Sequence, residues 1–158
     1  GNANLMLTVV FAAGVPAFYS GGQLADRFRH VPVVLGVMTG FTIGLVALTA
    51  VSSIAAIVAV SVGIGFVIHA LFPAMDTYVL DTLPDEHRGS AYAVYSATMM
   101  LIQASGSVVV GTLTDYGIGF DALFRGMGVV VLGFVLVMGT LYLSGHLPTG
   151  GKAHRLEA

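Results

Sequence analysis

The sequence predicts an all-α integral membrane protein, a bundle of five transmembrane helices. Of its 158 residues, 56% are hydrophobic and only 9% are charged, whereas an ordinary soluble domain has about a quarter charged residues. The mean hydropathy of the chain is +0.92. A chain with so few polar side chains cannot cover a water-facing surface. Its natural solvent is therefore lipid.

Five apolar segments account for this composition. A bilayer core is about 30 Å thick, so a spanning helix needs about 20 mainly apolar residues. Helices are expected because the alternation of a membrane barrel strand is missing, and lipid permits only helices and closed barrels. The predicted spans are 4–20, 31–50, 54–79, 91–114 and 122–144, which form a transmembrane bundle over 1–144, followed by a tail over 145–158.

The first two segments differ in their small residues. The first is short and contains Gly14 and Pro16, so it is the weakest of the five. The second has Gly36, Gly40 and Gly44 at four-residue spacing. Such a repeat makes one smooth helix face, and it predicts close packing of another helix there.

The last three segments are longer. The third contains Gly63, Gly65 and Pro73, which soften a helix. The fourth has a polar residue, Gln103, near its middle, and the fifth is apolar on all sides along "GVVVLGFVLVMG". All three therefore predict membrane helices, and the third predicts an irregular one.

The loop charges predict an orientation in the cell membrane. The predicted connections are 21–30, 51–53, 81–90 and 115–121, and with five spans they alternate between the two sides. One side then receives five of the six basic residues, and the other side receives only Arg125. Basic residues favour the cytoplasmic side. We therefore expect the N-terminus of this segment outside and its C-terminus in the cytoplasm.

Several function classes are excluded by what the sequence lacks. Without cysteine there are no disulfides, thiolate metal sites or cysteine nucleophiles. A net charge of −2 gives no basic footprint for nucleic acid. The sequence has no nucleophile elbow, Walker loop or HExxH motif. Neither enzyme activity nor a cofactor is expected.

Three polar side chains inside the predicted spans are candidates for a substrate or proton path. His69 lies near the middle of the third span, and Asp76 lies seven residues further on the same helix face. Gln103 lies at a comparable depth on the fourth span. Ionisable residues in lipid favour a functional role. A neutral histidine bonded to a neighbouring helix and a solvated interfacial acid are the structural alternatives.

Charge is concentrated in "GGQLADRFRH", between two apolar runs. Gly22 precedes Asp26 and Arg27, Arg29 follows, and His30 stands at the next position. This resembles the cytoplasmic motif G-x-x-x-D-R-x-G-R-R of the major facilitator superfamily. Arg29 replaces the second glycine of the motif, and His30 stands where a basic residue is expected. The glycine would let two helices approach closely at the mouth of the loop.

Two further stretches are similar to links in the same family. "DTLPDEHRGS" resembles the loop between helices 10 and 11, and "GTLTDYGIGFDALF" resembles the link between helices 11 and 12. The matching positions are Asp81, Pro84, Arg88 and Gly89 in the first stretch, and Gly111, Asp115, Gly117 and Phe120 in the second.

The resemblance implies that the chain is helices 8 to 12 of a twelve-helix secondary active transporter, part of one six-helix half. Such a protein moves a small solute by alternating access, and the N-terminal half would be a partner outside this sequence. A coupling ion, H⁺ or Na⁺, is possible. The alternative is a non-transporting scaffold or sensor subunit with a permease-like bundle.

The resemblance also implies a cytoplasmic gate. Charge pairs would hold this face closed and break when it opens, with Arg27 or Arg88 as the expected partner of Asp81. Exposed pairs of this kind contribute about 0–1 kcal/mol each, enough to bias two states without locking one of them. The gating residues are Gly22, Asp26, Arg27, Asp81 and Arg88.

The orientation is tested by labelling a single cysteine at Ser52 in the otherwise cysteine-free protein. Because the 51–53 connection is expected outside, an impermeant thiol reagent added to intact cells should label it. Labelling only from the cytoplasmic side would reverse the orientation.

Overall fold

In the computed structural model, residues 2–147 are described, and for residues 2–7 and 9 only the helical backbone is described. These residues form five α-helices, one 3₁₀ turn and no strand, which confirms the predicted all-α class. Within the described residues, four stretches are long and apolar enough to cross a membrane: 30–48, 54–82, 85–115 and 120–143. The helices are α1 (Asn2–Arg27), α2 (His30–Leu48), α3 (Ile54–Thr82), α4 (Arg88–Asp115) and α5 (Phe120–Leu143).

The charged segment 21–30 is mostly helical, although the sequence predicts it as a connection. α1 continues to Arg27 and α2 begins at His30, so only Phe28 and Arg29 join them. The predicted span ends earlier than the helix because hydropathy marks only the apolar part of a helix, whereas helical hydrogen bonding continues beyond it. Ala25, which is 2% exposed, also packs this last part of α1 against the core. The break occurs at Arg29, whose backbone is extended.

Local sequence signals define helix ends at two of the other connections. The Ser53 side chain accepts a hydrogen bond from the backbone N–H of Ala56 at 3.2 Å, a standard N-cap of α3. After α4, Gly117 adopts a φ of +85°, and the N–H of Ile118 donates to the carbonyl of Leu113 at 3.1 Å. A left-handed glycine followed by this bond ends a helix and turns the chain.

The helices pack in the order α1, α3, α2, α5. α1 lies along α3, α3 along α2, and α2 along α5. α4 makes few close contacts with the others, and none of its residues is buried. We call the end of the bundle that has residues 28–30 and 83–87 the His30 end. The cytoplasmic side of the predicted orientation corresponds to this end.

Glycines bring α1 and α3 into backbone contact. A Cβ on Gly21 would lie 2.6 Å from the carbonyl oxygen of Ala70, and one on Gly65 would lie 2.8 Å from that of Val10. Real Cβ atoms are not found at such distances, so only glycine fits. The predicted close-approach residue, Gly22, has open space where its Cβ would be. Its neighbour Gly21 takes that role.

The glycine repeat of α2 packs closely only at the end away from His30. A Cβ on Gly44 would lie 2.6 Å from Ile64 of α3, whereas one on Gly40 would lie at an ordinary 3.6 Å from Val67. Gly36 has nothing within 4 Å. The predicted smooth face therefore packs tightly against α3 at Gly44 and not at Gly36.

The core of the described bundle lies at the His30 end, where α1, α2 and α3 meet. Its buried members are small: Ala25, Val33, Val34 and Ala74. Large apolar side chains lie mostly on the outside, as expected for a protein whose solvent is lipid.

The α1–α3 contact is tested by two neighbouring substitutions. Gly21→Ala should destabilise the bundle by about 1–3 kcal/mol, because the new methyl group overlaps the Ala70 backbone. Gly22→Ala is the control, since its methyl group meets open space and alanine is the better helix former. Thermal unfolding in one detergent measures both. Equal midpoints for the two variants would contradict the contact.

Candidate functional site

A buried histidine joins two helices at the His30 end. His30, at the start of α2, is 2% exposed. Its Nε2 lies 3.0 Å from Oδ2 of Asp81, at the end of α3, and donates a hydrogen bond to that carboxylate. The ring of Tyr78, one turn earlier on α3, meets the imidazole edge-on at 6.2 Å between centroids. The contact fixes the start of α2 against the end of α3.

The other ring nitrogen of His30 has no hydrogen-bond partner among the described residues. Nδ1 is buried, and the structure gives it neither a donor nor an acceptor. A buried polar atom left unsatisfied costs about 1–3 kcal/mol. The bond to Asp81 is therefore the only one that compensates this imidazole in the described part of the chain.

Of the predicted gating residues, Asp81 takes part in this contact. The carboxylate of Asp81 lies at hydrogen-bond distance from His30, a residue that the sequence places at a basic motif position but does not predict as its partner. Arg88 pairs with Asp85, three residues earlier, on the surface. Asp26 and Arg27 are exposed on the last turn of α1.

A second polar group, His69, lies in a groove between α1 and α3. Its Nδ1 is 2.6 Å from the carbonyl oxygen of Gly65, one turn earlier, and donates to it. In a neutral imidazole, an Nδ1 that donates leaves Nε2 as an acceptor. Gly14 of α1 faces the ring, because a Cβ there would lie 3.0 Å or less from three of its atoms. The glycine makes room for the imidazole.

Three phenyl rings surround His69. Phe11 and Phe18 of α1 meet its ring at centroid distances of 5.6 and 5.8 Å, and Phe72 of α3 meets it at 6.3 Å, all edge-on. Phe18 and Phe72 also stack on each other at 6.1 Å. Edge-on aromatic pairs are favourable and hold a ring in one orientation. The imidazole is thus held in place in an apolar setting.

The structure brings Asp76 into the same groove as His69. The groove has a volume of about 550 Å³ and is open on one side. Its lining comes from α1 and α3, and Asp76 is the carboxylate within it. Gln103, predicted to share a cavity with His69, is exposed on α4 and does not line this groove. The difference arises because α4 packs apart from α1 and α3.

Chemically, the groove combines an apolar wall with two ionisable groups. The imidazole can accept a hydrogen bond or a proton, and the carboxylate can bind a cation or a hydroxyl. Among the described residues, no group of three or more histidine or acidic side chains could hold a metal ion. The arrangement suits binding of a small solute and movement of a proton.

The His30–Asp81 contact is tested by rescue. Asp81→Ala should destabilise the protein by about 1–3 kcal/mol, because it leaves a buried imidazole without its bond. Adding His30→Phe should restore most of the loss, since the buried polar ring is replaced by an apolar one of similar shape. The measurement is thermal unfolding in detergent.

Asp85→Ala is the matched control for that test. Its pair with Arg88 is exposed, so the loss should stay below about 1 kcal/mol. A double variant no more stable than Asp81→Ala alone would show that the two side chains are not coupled.

Comparison with known protein families supports the membrane fold. No curated protein and no solved structure matches the chain significantly. The family model described as Major Facilitator Superfamily matches residues 1–157, nearly the whole sequence. With a match of that extent over an all-helical membrane fold, the chain belongs to the major facilitator superfamily.

Proposed function

We propose that the chain is the C-terminal portion of a secondary active transporter that moves a small solute by alternating access. The observation that carries the proposal is the groove between α1 and α3, with His69 held at its apolar wall. Family membership supports a transporter of the major facilitator type. The groove adds a place where a solute could bind.

The depth of His69 supports this role. It lies fifteen residues after the start of α3 at Ile54 and thirteen before its end at Thr82. It is therefore close to the middle of the membrane, where secondary transporters bind substrates and coupling ions. Asp76 lies two turns nearer the His30 end, about 10 Å further along the helix at 1.5 Å per residue. The two side chains would line one path from the middle toward one face.

The His30–Asp81 contact supports a two-state mechanism. A conformational change that opens the His30 end would separate the start of α2 from the end of α3. The open state would then lose one hydrogen bond to a charged group, worth about 1.5–3 kcal/mol. A ligand that binds the two states differently can shift an equilibrium of that size. We place this end on the cytoplasmic side, on the basis of the basic residues in its loops.

The first experiment is uptake by the full-length protein in proteoliposomes, over a panel of labelled solutes with imposed proton and sodium gradients. Saturable uptake of one solute, driven by a gradient, is expected. A protein that moved none of the solutes but bound a partner protein would favour the alternative of a scaffold or sensor subunit.

His69→Gln tests the groove directly. Glutamine keeps a hydrogen-bonding side chain but does not titrate, so uptake should fall at least tenfold at saturating substrate if the imidazole transfers a proton. The dependence of uptake on pH should then flatten. If the imidazole only contacts substrate, KM should rise while the pH profile keeps its shape.

Gln103→Ala is the control for that variant. It removes a polar side chain at comparable depth on α4, outside the groove, so uptake should stay within twofold of wild type. Equal effects of the two substitutions, or none from His69→Gln, would contradict the proposed site.

A further inference from the structure

A partly open apolar cavity lies behind the His69 groove, among α2, α3, α4 and α5. Its volume is about 180 Å³. In a soluble protein, an apolar cavity of about 150 Å³ stays dry and binds benzene. This cavity is slightly larger and lies in a protein whose solvent is already apolar. Its size suits a molecule with one aromatic ring or with two fused rings.

Methionines from four helices line this cavity. Of the seven methionines in the chain, four contribute to the wall, one from each helix: Met38, Met75, Met99 and Met138. Thioether side chains are flexible and polarisable, and they make favourable contacts with aromatic rings. A wall of this kind can adapt to a flat ring inserted between the helices.

Aromatic side chains complete the wall, and charge is absent from it. Phe72 and Tyr78 come from α3, Tyr95 from α4 and Phe134 from α5. The tyrosine hydroxyls are the polar side-chain groups of the lining, which contains no Asp, Glu, His, Lys or Arg. An ionised ligand would lose its hydration here without gaining a partner. The cavity therefore selects against charged molecules.

We infer that this cavity is a binding site for a small neutral aromatic molecule that enters from the bilayer. A ring is favoured over a linear acyl chain because the lining offers rings and sulfur atoms, which stabilise an aromatic guest beyond its apolar area. The cavity is also compact, at about 180 Å³, whereas an acyl chain needs an extended channel.

The cavity shares one wall with the His69 groove. Phe72 lines both spaces, and its ring stacks on Phe18 and contacts His69. An occupant that shifts Phe72 would therefore change the surroundings of the imidazole. This gives the site a second readout that does not require transport.

Methionine-methyl NMR of the full-length protein in lipid nanodiscs tests the inference, with naphthalene as the probe. The methyl signals of Met38, Met75, Met99 and Met138 should shift saturably. Met100 and Met127 are internal references, because they are exposed on α4 and α5 and do not line the cavity. The ring signals of His69 should shift with the same saturation curve.

Two variants and one second probe complete the design. Met138→Trp should fill the cavity and abolish the saturable shifts, while Met127→Trp, on the same helix outside the cavity, should leave them intact. If Met138→Trp does not fold, the wild-type comparison with decane still decides. Decane shifts equal to those from naphthalene would make the space a general apolar filling site. Shifts of all methyl groups in linear proportion to added naphthalene would show partitioning into lipid. Either result would overturn the inference.

Discussion

The backbone contact between α1 and α3 determines most of what surrounds it. Gly21 and Gly65 let the two helices approach very closely. Gly21 packs on the backbone of Ala70, and Gly65 packs on the backbone and side chain of Val10. In lipid such close packing, and not the hydrophobic effect, drives helix association. The same contact brings Gly14 opposite His69 and carries Ala25 into the core at the His30 end. The groove and the core therefore both depend on the close contact between α1 and α3.

The fold class could be predicted from the sequence, because lipid leaves a chain only one way to satisfy its backbone without a closed barrel. Helix ends were harder to predict. Hydropathy indicates which residues face lipid, and a helix can extend beyond those residues. The segment that ends at Arg27 shows this, as its charged residues still belong to α1. Which helices pack together could not be predicted. A glycine repeat marks a smooth face, but Gly36 and Gly44 differ in whether another helix reaches them.

The candidate site was predicted in part. His69 and Asp76 stood out because ionisable residues are rare in membrane spans, and their seven-residue spacing put them on one face. Gln103 had the same depth, but depth along a helix does not determine which neighbour that helix faces. His30 was not predicted as the partner of Asp81, because the sequence has arginines nearby and an arginine side chain is always charged. Its burial was the deciding fact, and the sequence carries no direct signal of it.

The short link between α1 and α2 gives the bundle a mechanical property. Arg27 and His30 are joined through two residues, and three peptide links extend to at most about 11 Å. Gly21, where α1 packs tightly on α3, lies six residues before the end of α1, about 9 Å along the helix. Because the link is this short, a large movement of the end of α1 must carry the first turn of α2 with it. A large displacement of the end of α1 would therefore act on the His30–Asp81 bond through the polypeptide chain itself.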